Sequence, residues 1–595
     1  MFSKNPLFNL FCLAWHYSFD NKKRFVLVLI FSVLSNIIWL LEPIVIGRIF
    51  NTIQLTKDNN QVHLVAWGMF WLIAITVIGW LFHGLSRVME NKNAFLIRKN
   101  YRQTLFNQVM NLPTAWHKDH HSGDTIDKIN KASEGLYDFS AEMFIIIQNI
   151  VGLIASMVVL AFYDLKPILI VIFAAFAAVL VIFKFDQRLL KGYRFINKID
   201  NFISAGVFDY ISNYVTLISL RLKNRAIKEL DNRSMKHFAV FSSNAKINET
   251  KWFFSGLIIT LMTAGVIFWN AFNSYRQSGV ILIGTLFILY QYLNNIGRAF
   301  YTFAWKYSET VRQNAKMVAA EEISAEYNRM KEERRGTLPQ DWKVLQIKKL
   351  FFTYKEGELK RGTHALKDVS FCIERGKKIA LIGMSGSGKS TVLSLLRGLH
   401  NEDSVDLYCD GKKMPFGFRH IHELITLIPQ ESEIFNNTIE YNITFGVQTN
   451  KKKLKTVIEL AELNELISRL EKGLQTSVLE KGVSLSGGEK QRLALARGLL
   501  AAWDSQFLLL DEPTSSVDVE NELRIYQNIF KVFADRTIIS AIHSLHLLRY
   551  FDYIYLFKEG RIVAEGTFSM LLEDENFKIL WKNYDSQEKK SKKDG

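Results

Sequence analysis

A chain of 595 residues exceeds what one hydrophobic core organises, so at least two domains are expected. Its apolar share of 49% and aromatic share of 13% are high for a soluble enzyme. The mean hydropathy is only +0.05, so a strongly polar portion must offset an apolar one. A wholly soluble and a wholly membrane-embedded chain are both disfavoured, and half of each is expected. The net charge of +16 would suit nucleic acid or anionic lipid, and the placement of the charges decides between them. Cys12, Cys372 and Cys409 lie far apart with no metal-ligand spacing and read as ordinary small residues in a reducing compartment.

At the N-terminus, residues 1–24 place Leu7, Phe8, Phe11, Leu13 and Trp15 ahead of Lys22-Lys23-Arg24. An interfacial amphipathic helix fits this segment, with a disordered leader as the alternative. No secretory signal is evident, because the first apolar run is too long for one. Six apolar runs follow: 25–50, 64–86, 144–162, 165–183, 254–273 and 280–303. Each is near the ~20 residues that span a bilayer as a helix, and only helices satisfy the backbone there. A transmembrane domain over 25–320 is therefore expected.

The connections after the first, third and fifth runs are short and hold few cations, Lys57, Lys166 and Arg276. Those after the second and fourth are long and basic, with Arg98, Lys99, Arg102, Arg188, Lys191, Arg194, Arg221, Lys223 and Arg225. The positive-inside bias puts the long loops and both termini in the cytoplasm. The basic balance is then mostly topological, and nucleic acid is not needed as a partner. Mixed patterning without Gly/Pro clusters predicts that the long loops are helical and continue the membrane helices outward.

A charged linker over 321–343 leads through Gly336 and Pro339 to a second domain over 344–582, followed by a basic tail, 583–595. In that domain a buried strand, Lys378–Ile382, meets Gly383-Met384-Ser385-Gly386-Ser387-Gly388-Lys389-Ser390 and then a helical run from Thr391. This is the strand–GxxxxGK[ST]–helix order of a phosphate-binding loop, in which glycines turn backbone N–H groups and a helix N-terminus toward phosphates. Lys389 is expected on the β- and γ-phosphates of ATP and Ser390 on Mg²⁺. A second strand, Phe507 to Leu510, delivers Asp511 and Glu512. Asp511 would hold Mg²⁺ through water, and Glu512 would activate the attacking water.

Between these elements lies Leu485-Ser486-Gly487-Gly488-Glu489-Lys490-Gln491-Arg492, which resembles the signature of the ATP-binding-cassette family. Tyr354 resembles the family's adenine-stacking aromatic, Gln430 its Mg²⁺-contacting lid glutamine, and Asp518 the end of the loop after the catalytic glutamate. His543 resembles the γ-phosphate-sensing histidine, with His546 as the alternative. The six-span first half resembles the exporter branch, and 112–124 resembles its first coupling region. The resemblance implies an all-α six-helix transmembrane domain followed by an α/β P-loop ATPase. It further implies two motors paired head to tail, with ATP between the P-loop of one and Ser486-Gly487-Gly488 of the other. One chain holds one such set, so a second copy is expected, with a related subunit as the alternative. Glu489 departs from the commoner Gln, and Leu479-Glu480-Lys481-Gly482 from Gly-Glu-Arg-Gly; the switch histidine lies in Ala541-Ile542-His543-Ser544-Leu545 where Ser-His-Arg-Leu is usual.

Polar residues inside spans are costly and frequently functional. Gln291, Asn294, Asn295 and Arg298 share one face of the last span and are the foremost cargo-contact candidates; Glu42, His83, Gln148 and Asn149 are weaker ones. Tyr290, Tyr292, Phe300 and Tyr301 suit either an organic cation or helix packing, and packing is favoured. The expected function is ATP-driven export of a lipid, drug-like or peptide cargo by a dimer contacting membrane lipids. Import and ATP-gated regulation are the alternatives. A bacterial inner membrane, with the ATPase cytoplasmic, suits the short loops and the absence of a transit peptide.

Overall fold

A computed structural model describes residues 5–56, 60–120, 122–163, 165–331, 336–354, 365–431, 433–478 and 485–582. Leu479-Glu480-Lys481-Gly482, His121 and the tail 583–595 lie outside the described residues. Two compact units emerge, one of 1–111 and 122–328, the other of 112–121 and 329–595.

The first unit is helical. Helix α1, Pro6–Tyr17, is capped by the Asn5 side chain. The first predicted span is two helices, α2 (Lys22–Trp39) and α3 (Glu42–Leu55). Pro43 explains the break, since it has no N–H to donate to the carbonyl four residues earlier. The Ile44 N–H turns to the Leu41 carbonyl at 3.1 Å, and the Leu40 carbonyl is taken instead by the Tyr292 hydroxyl. Helix α4, Gln61–Met110, runs 50 residues, about 75 Å at ~1.5 Å per residue, so it leaves any bilayer as the sequence predicts. A short helix α5, Thr114–Asp119, falls in the second unit. Then come α6 (Ser122–Ala141), α7 (Met143–Tyr163), α8 (Pro167–Ser212), α9 (Tyr214–Ser219), α10 (Lys223–Met235), α11 (Phe238–Ser278) and α12 (Ile283–Lys331).

Five stretches of the described residues are long and apolar enough to cross a membrane, the last ending at Ser278. The sixth predicted span, 280–303, is helical from Ile283 within α12 but is not among them, because Gln291, Asn294, Asn295 and Arg298 dilute its hydropathy. Helix α12 also continues through the first part of the expected linker, as far as Lys331; the sequence between Gly297 and Gly336 holds no glycine or proline.

Small residues set the closest approach in this unit. A Cβ on Gly284 of α12 would lie 1.8 Å from the Gly47 carbonyl of α3, and the Gly284 N–H donates to Asn51 Oδ1 at 2.8 Å. Gly284→Val is therefore expected to force α3 and α12 apart at a cost of about 1–3 kcal/mol or more. Thermal unfolding in detergent checks this against Gly265→Val, where a Cβ meets nothing within 4 Å. Equal midpoints would count against the close packing.

The second unit holds β1 (Val344–Phe352), β2 (Leu366–Glu374), β3 (Lys378–Ile382), α13 (Lys389–Arg397), β4 (Ser404–Cys409), β5 (Lys412–Met414) and β6 (Ile425–Ile428). Next are α14 (Ile439–Thr444), α15 (Lys451–Leu460), α16 (Asn464–Arg469), α17 (Gly487–Ala501), β7 (Phe507–Asp511) and α18 (Val519–Val532). Strands β8 (Thr537–Ala541), β9 (Tyr553–Lys558) and β10 (Arg561–Gly566) and helix α19 (Phe568–Leu571) complete it. An antiparallel sheet has the order β2-β1-β4-β5, and a mostly parallel one the order β10-β9-β3-β8-β7-β6. Every residue of β3 and β8 is buried, as expected of strands covered on both faces. Their C-terminal ends converge: Leu381 and Asp511 both pair with Ala541 of β8. A ligand crevice belongs at that edge.

Candidate nucleotide site and transmembrane cavity

The loop after β3 owes its shape to its glycines. Gly383, Gly386 and Gly388 have φ of 144°, 78° and 109°, a region that disfavours other residues. The Gly560 N–H donates to the Ser387 carbonyl at 3.0 Å and anchors the loop to the turn after β9. Gly388 caps α13, so the helix N-terminus begins at Lys389. Ser385 is exposed in the loop, while the Ser387 hydroxyl is buried without a hydrogen-bond partner. The Lys389 ammonium donates to the Gly383 and Met384 carbonyls at 2.8 and 3.4 Å. Burial lowers the Lys389 pKa, opposed by Glu512 and Asp511. A buried cation, an orphaned hydroxyl and a helix N-terminus together fit a phosphate anion.

Ser390 Oγ donates to Asp511 Oδ1 at 2.9 Å. Burial raises the Asp511 pKa, and Glu512 adds to this against the Ser390 hydrogen bond, Lys389 and His543. A hydroxyl and a carboxylate side by side are hard oxygen donors that suit Mg²⁺, which would relieve the crowding of the two carboxylates. Tyr354 does not stand alone: its hydroxyl lies 3.0 Å from Thr391 Oγ1, and its ring meets Phe352 and His400 edge-on.

Glu512 sits at the centre of the site with φ of 47°, the left-handed region. Such strain costs on the order of 1–3 kcal/mol and persists where neighbours over-determine it. Here the Glu512 N–H donates to the Ala541 carbonyl at 3.2 Å, and Gln491 Nε2 donates to the Glu512 carbonyl at 3.3 Å. The carboxylate is held at both oxygens, by His543 Nε2 at 2.7 Å and by Gln430 Nε2 at 3.0 Å. His546 Nε2 lies instead 3.4 Å from Glu522 Oε2, so of the two histidines it is His543 that faces Glu512.

Ser486 is the N-cap of α17 in a capping box: its hydroxyl accepts from the Glu489 N–H, and Glu489 Oε2 accepts from the Ser486 N–H at 2.8 Å. Burial pushes the Glu489 pKa up, but the Ser486 N–H and the Arg469 guanidinium outweigh it and leave the pKa lowered. The unusual glutamate of the signature thus closes the box as an anion near the helix N-terminus. Gly487 meets open space, whereas a Cβ on Gly488 would stand 2.9 Å from the Ser516 carbonyl. Asp518 is the N-cap of α18, accepting from the Asn521 N–H at 3.0 Å.

Sequence reading did not assign a role to Gln491, although it lies in the signature. It bridges three groups of the adjoining loop: the Glu512 carbonyl, Ser515 Oγ and the Ser516 N–H. Its place in the signature, two residues past Glu489, was the available signal.

In the first unit a cavity of ≈ 710 Å³ is lined by polar groups from separate helices. Gln291, Asn295 and Arg298 of α12 face it, with Glu42 of α3 and Gln148 and Asn149 of α7. Asn294 does not line it. On a helix with ~3.6 residues per turn the cavity-facing arc runs from Phe287 through Ala299, and Asn294 falls at its flank. His83 also lies off the cavity, packed against the rings of Trp39, Trp80 and Phe144 at 4.9, 5.1 and 4.6 Å. The aromatic wall is Trp39, Trp80 and Phe287. Tyr290, Tyr292, Phe300 and Tyr301 are not part of it; Tyr292 is fully buried against Leu40, and Tyr301 packs on Trp252.

Residues 25–300 match the family model of the ABC transporter transmembrane region, and 366–515 match that of the ABC transporter. The chain belongs to the ATP-binding-cassette transporters. A transmembrane region and an ABC transporter region are joined in one chain, the arrangement of the exporter type. An ABC-type transmembrane transporter verA of Clonostachys rogersoniana is 26% identical over 95% of this chain and 46% of its own length. The chain thus spans about half of that ABC relative. An ATP-dependent lipid A-core flippase of Vibrio vulnificus (strain CMCP6) is 27% identical over 79% of this chain and 80% of its own. A mitochondrial iron-sulfur clusters transporter ATM1 of Kluyveromyces lactis is 26% identical over 82% and 67%. The structure of a bacterial Atm1-family ABC exporter with ATP bound superposes with a TM-score of 0.77 at 22% identity, covering 95% of this chain and 98% of that one. The ABC exporter fold is shared.

Proposed function

We propose that the chain acts as a homodimeric exporter, moving an amphiphilic cargo through the 710 Å³ cavity. The observation that carries this reading is the convergence of Arg298, Asn295, Gln291, Gln148, Asn149 and Glu42 on one cavity beside Trp39 and Trp80. Polar groups of several helices converging on one cavity suit a ligand with a polar head, and indole rings suit its apolar body. The relatives are named for different cargoes, lipid A-core and iron–sulfur clusters, so the cavity and not the likeness carries the cargo class.

In the motor, Lys389 and the α13 N-terminus would bind the phosphates. Ser390 and Asp511 would hold Mg²⁺, with Gln430 as the lid contact. ATP brings the phosphoanhydride whose cleavage drives the cycle. Glu512 would accept a proton from water, its carboxylate held in place by His543 and Gln430. Ser486-Gly487-Gly488 would complete the site of the second copy, so that nucleotide favours the paired state and shifts the membrane helices. The ATPase and both termini would be cytoplasmic, in a bacterial inner membrane.

The test is ATPase activity in nanodiscs with candidate amphiphiles. Arg298→Ala is expected to raise the concentration giving half-maximal stimulation by about ten-fold, the worth of one charge-assisted contact. Asn294→Ala, off the cavity, is expected to change it less than about two-fold. Equal responses would remove the cavity as the cargo site. Flux into inverted vesicles gives the direction.

A further inference from the structure

A second acid of the motor, Glu522, is buried one hydrogen bond and two residues of chain away from Glu512. It lies on the covered face of α18 with Ile525, Tyr526 and Ile529 and is 7% exposed. Burying a carboxylate is costly unless its oxygens find partners. Here Oε1 accepts from Thr514 Oγ1 at 2.8 Å, and Oε2 stands 3.4 Å from His546 Nε2. Thr514 is itself 2% exposed, so its bond to Glu522 is sheltered from water. One turn further along α18, the Tyr526 hydroxyl lies 2.8 Å from Ser540 Oγ of β8 and ties the helix to the parallel sheet.

The two partners of Glu522 belong to the two segments that carry Glu512 and His543. Thr514 is two residues after Glu512, in the loop that follows β7. His546 is three residues after His543, in the turn that follows β8. The loop is tightly wound: the Ser515 N–H donates to the Glu512 carbonyl at 3.3 Å, and the Val517 N–H to the Thr514 carbonyl at 3.0 Å. The His543 side chain is 51% exposed, so packing does not hold its ring, and its place comes from the turn. Leu545, Leu547 and Leu548 anchor that turn in the core, but apolar contact is non-directional and does not by itself set a hydrogen-bond distance. Glu522 supplies the direction, because it joins loop and turn through one side chain on a fixed helix. The left-handed φ of Glu512 calls for the same bracing, since strained backbone persists only where neighbours over-determine it.

We propose that Glu522 is a positioning residue for ATP hydrolysis: bridging Thr514 and His546, it sets the separation of Glu512 and His543. His546, which does not meet Glu512, then serves as one end of this brace. Thr514 and His546 lie outside the phosphate-binding loop, so loss of the brace falls on turnover and spares nucleotide binding. The role rests on Glu512 as the group that takes the proton from water.

Steady-state ATPase kinetics of the full-length protein in nanodiscs test it. Glu522→Ala is expected to lower kcat about 10- to 100-fold, the usual cost of a misplaced catalytic group, with KM for ATP changed less than about three-fold. Glu522→Gln keeps an oxygen for Thr514 and sets an amide toward His546, and should restore kcat to within about three-fold. His546→Ala should lose less, and Glu522→Ala/His546→Ala no more than Glu522→Ala alone, as for two groups acting as a unit. On a Glu512→Gln background, read by single-turnover release of labelled phosphate, Glu522→Ala should cost less than about two-fold, since the group it aligns is gone. Where Glu522→Ala does not fold, Thr514→Val, which removes the donor at nearly constant volume, should give the same split between kcat and KM. A loss shared by kcat and KM, equal losses in Glu522→Ala and Glu522→Gln, or an undiminished loss on the Glu512→Gln background overturns the proposal and leaves Glu522 a structural acid. Unimpaired hydrolysis in Glu512→Gln removes the reading of Glu512 and this one with it, whereas a deep loss there beside an unimpaired Glu522→Ala overturns the brace alone.

Discussion

Replacing Glu512 by glutamine is expected to lower ATP hydrolysis by about 10²–10⁴-fold, the usual worth of a positioned general base. The substitution keeps the volume, the left-handed backbone and an oxygen for Gln430 Nε2, so binding should persist. What it removes is the anion beside His543 Nε2, and with it the acceptor for a proton from water. Nucleotide should then be retained by the protein, measurable as labelled ATP co-eluting after gel filtration. Hydrolysis within a few-fold of the unsubstituted protein would reject the role given to Glu512. His543→Ala should give a loss of the same sign, since it frees one carboxylate oxygen from its partner.

The second large effect is expected from Gly383→Ala. At φ of 144° an alanine is strained whatever the surrounding space, and its Cβ would stand 2.2 Å from the Phe557 carbonyl. That carbonyl is backbone of β9, the strand paired with β3, and cannot swing aside as a side chain could. The loop must therefore move, and the Lys389 ammonium loses the Gly383 carbonyl that holds it. Strain of about 1–3 kcal/mol corresponds to a loss of ATP affinity of roughly 5- to 150-fold. Fluorescent-nucleotide titration reads it directly. Gly265→Ala, which meets nothing within 4 Å, should leave the affinity unchanged. Parallel behaviour of the two variants would contradict the close approach.

These expectations rest on features of unequal legibility. The phosphate loop could be read directly because its demands are local: glycines where φ is positive, a lysine and a serine at fixed offsets, a strand before and a helix after. Asp511 and Glu512 were readable for the same reason, as the end of an apolar strand. The choice between His543 and His546 was not, because three residues of spacing leave both near the site; only the packing of β8 beside β7 turns one to Glu512 and the other to Glu522. Glu489 looked like a departure until the capping box gave it two partners. Gln491 drew no attention because its three contacts lie on a loop more than twenty residues away.

In the membrane half, hydropathy located the apolar runs because a bilayer imposes a length on each of them. It did not locate the break at Leu40–Leu41, where the Leu40 carbonyl accepts from the hydroxyl of Tyr292, about 250 residues later. Nor did periodicity along α12 separate Asn294 from its neighbours, since a stripe about 100° wide is defined only when the facing helices are known. The sequence by itself determined a membrane half, a phosphate-binding motor and the residues of its loop, all properties carried by adjacent residues. Tertiary packing alone selects which polar side chains share a cavity and which histidine meets Glu512. Those are distances between residues far apart in the chain, and they are fixed by packing, which no local pattern encodes.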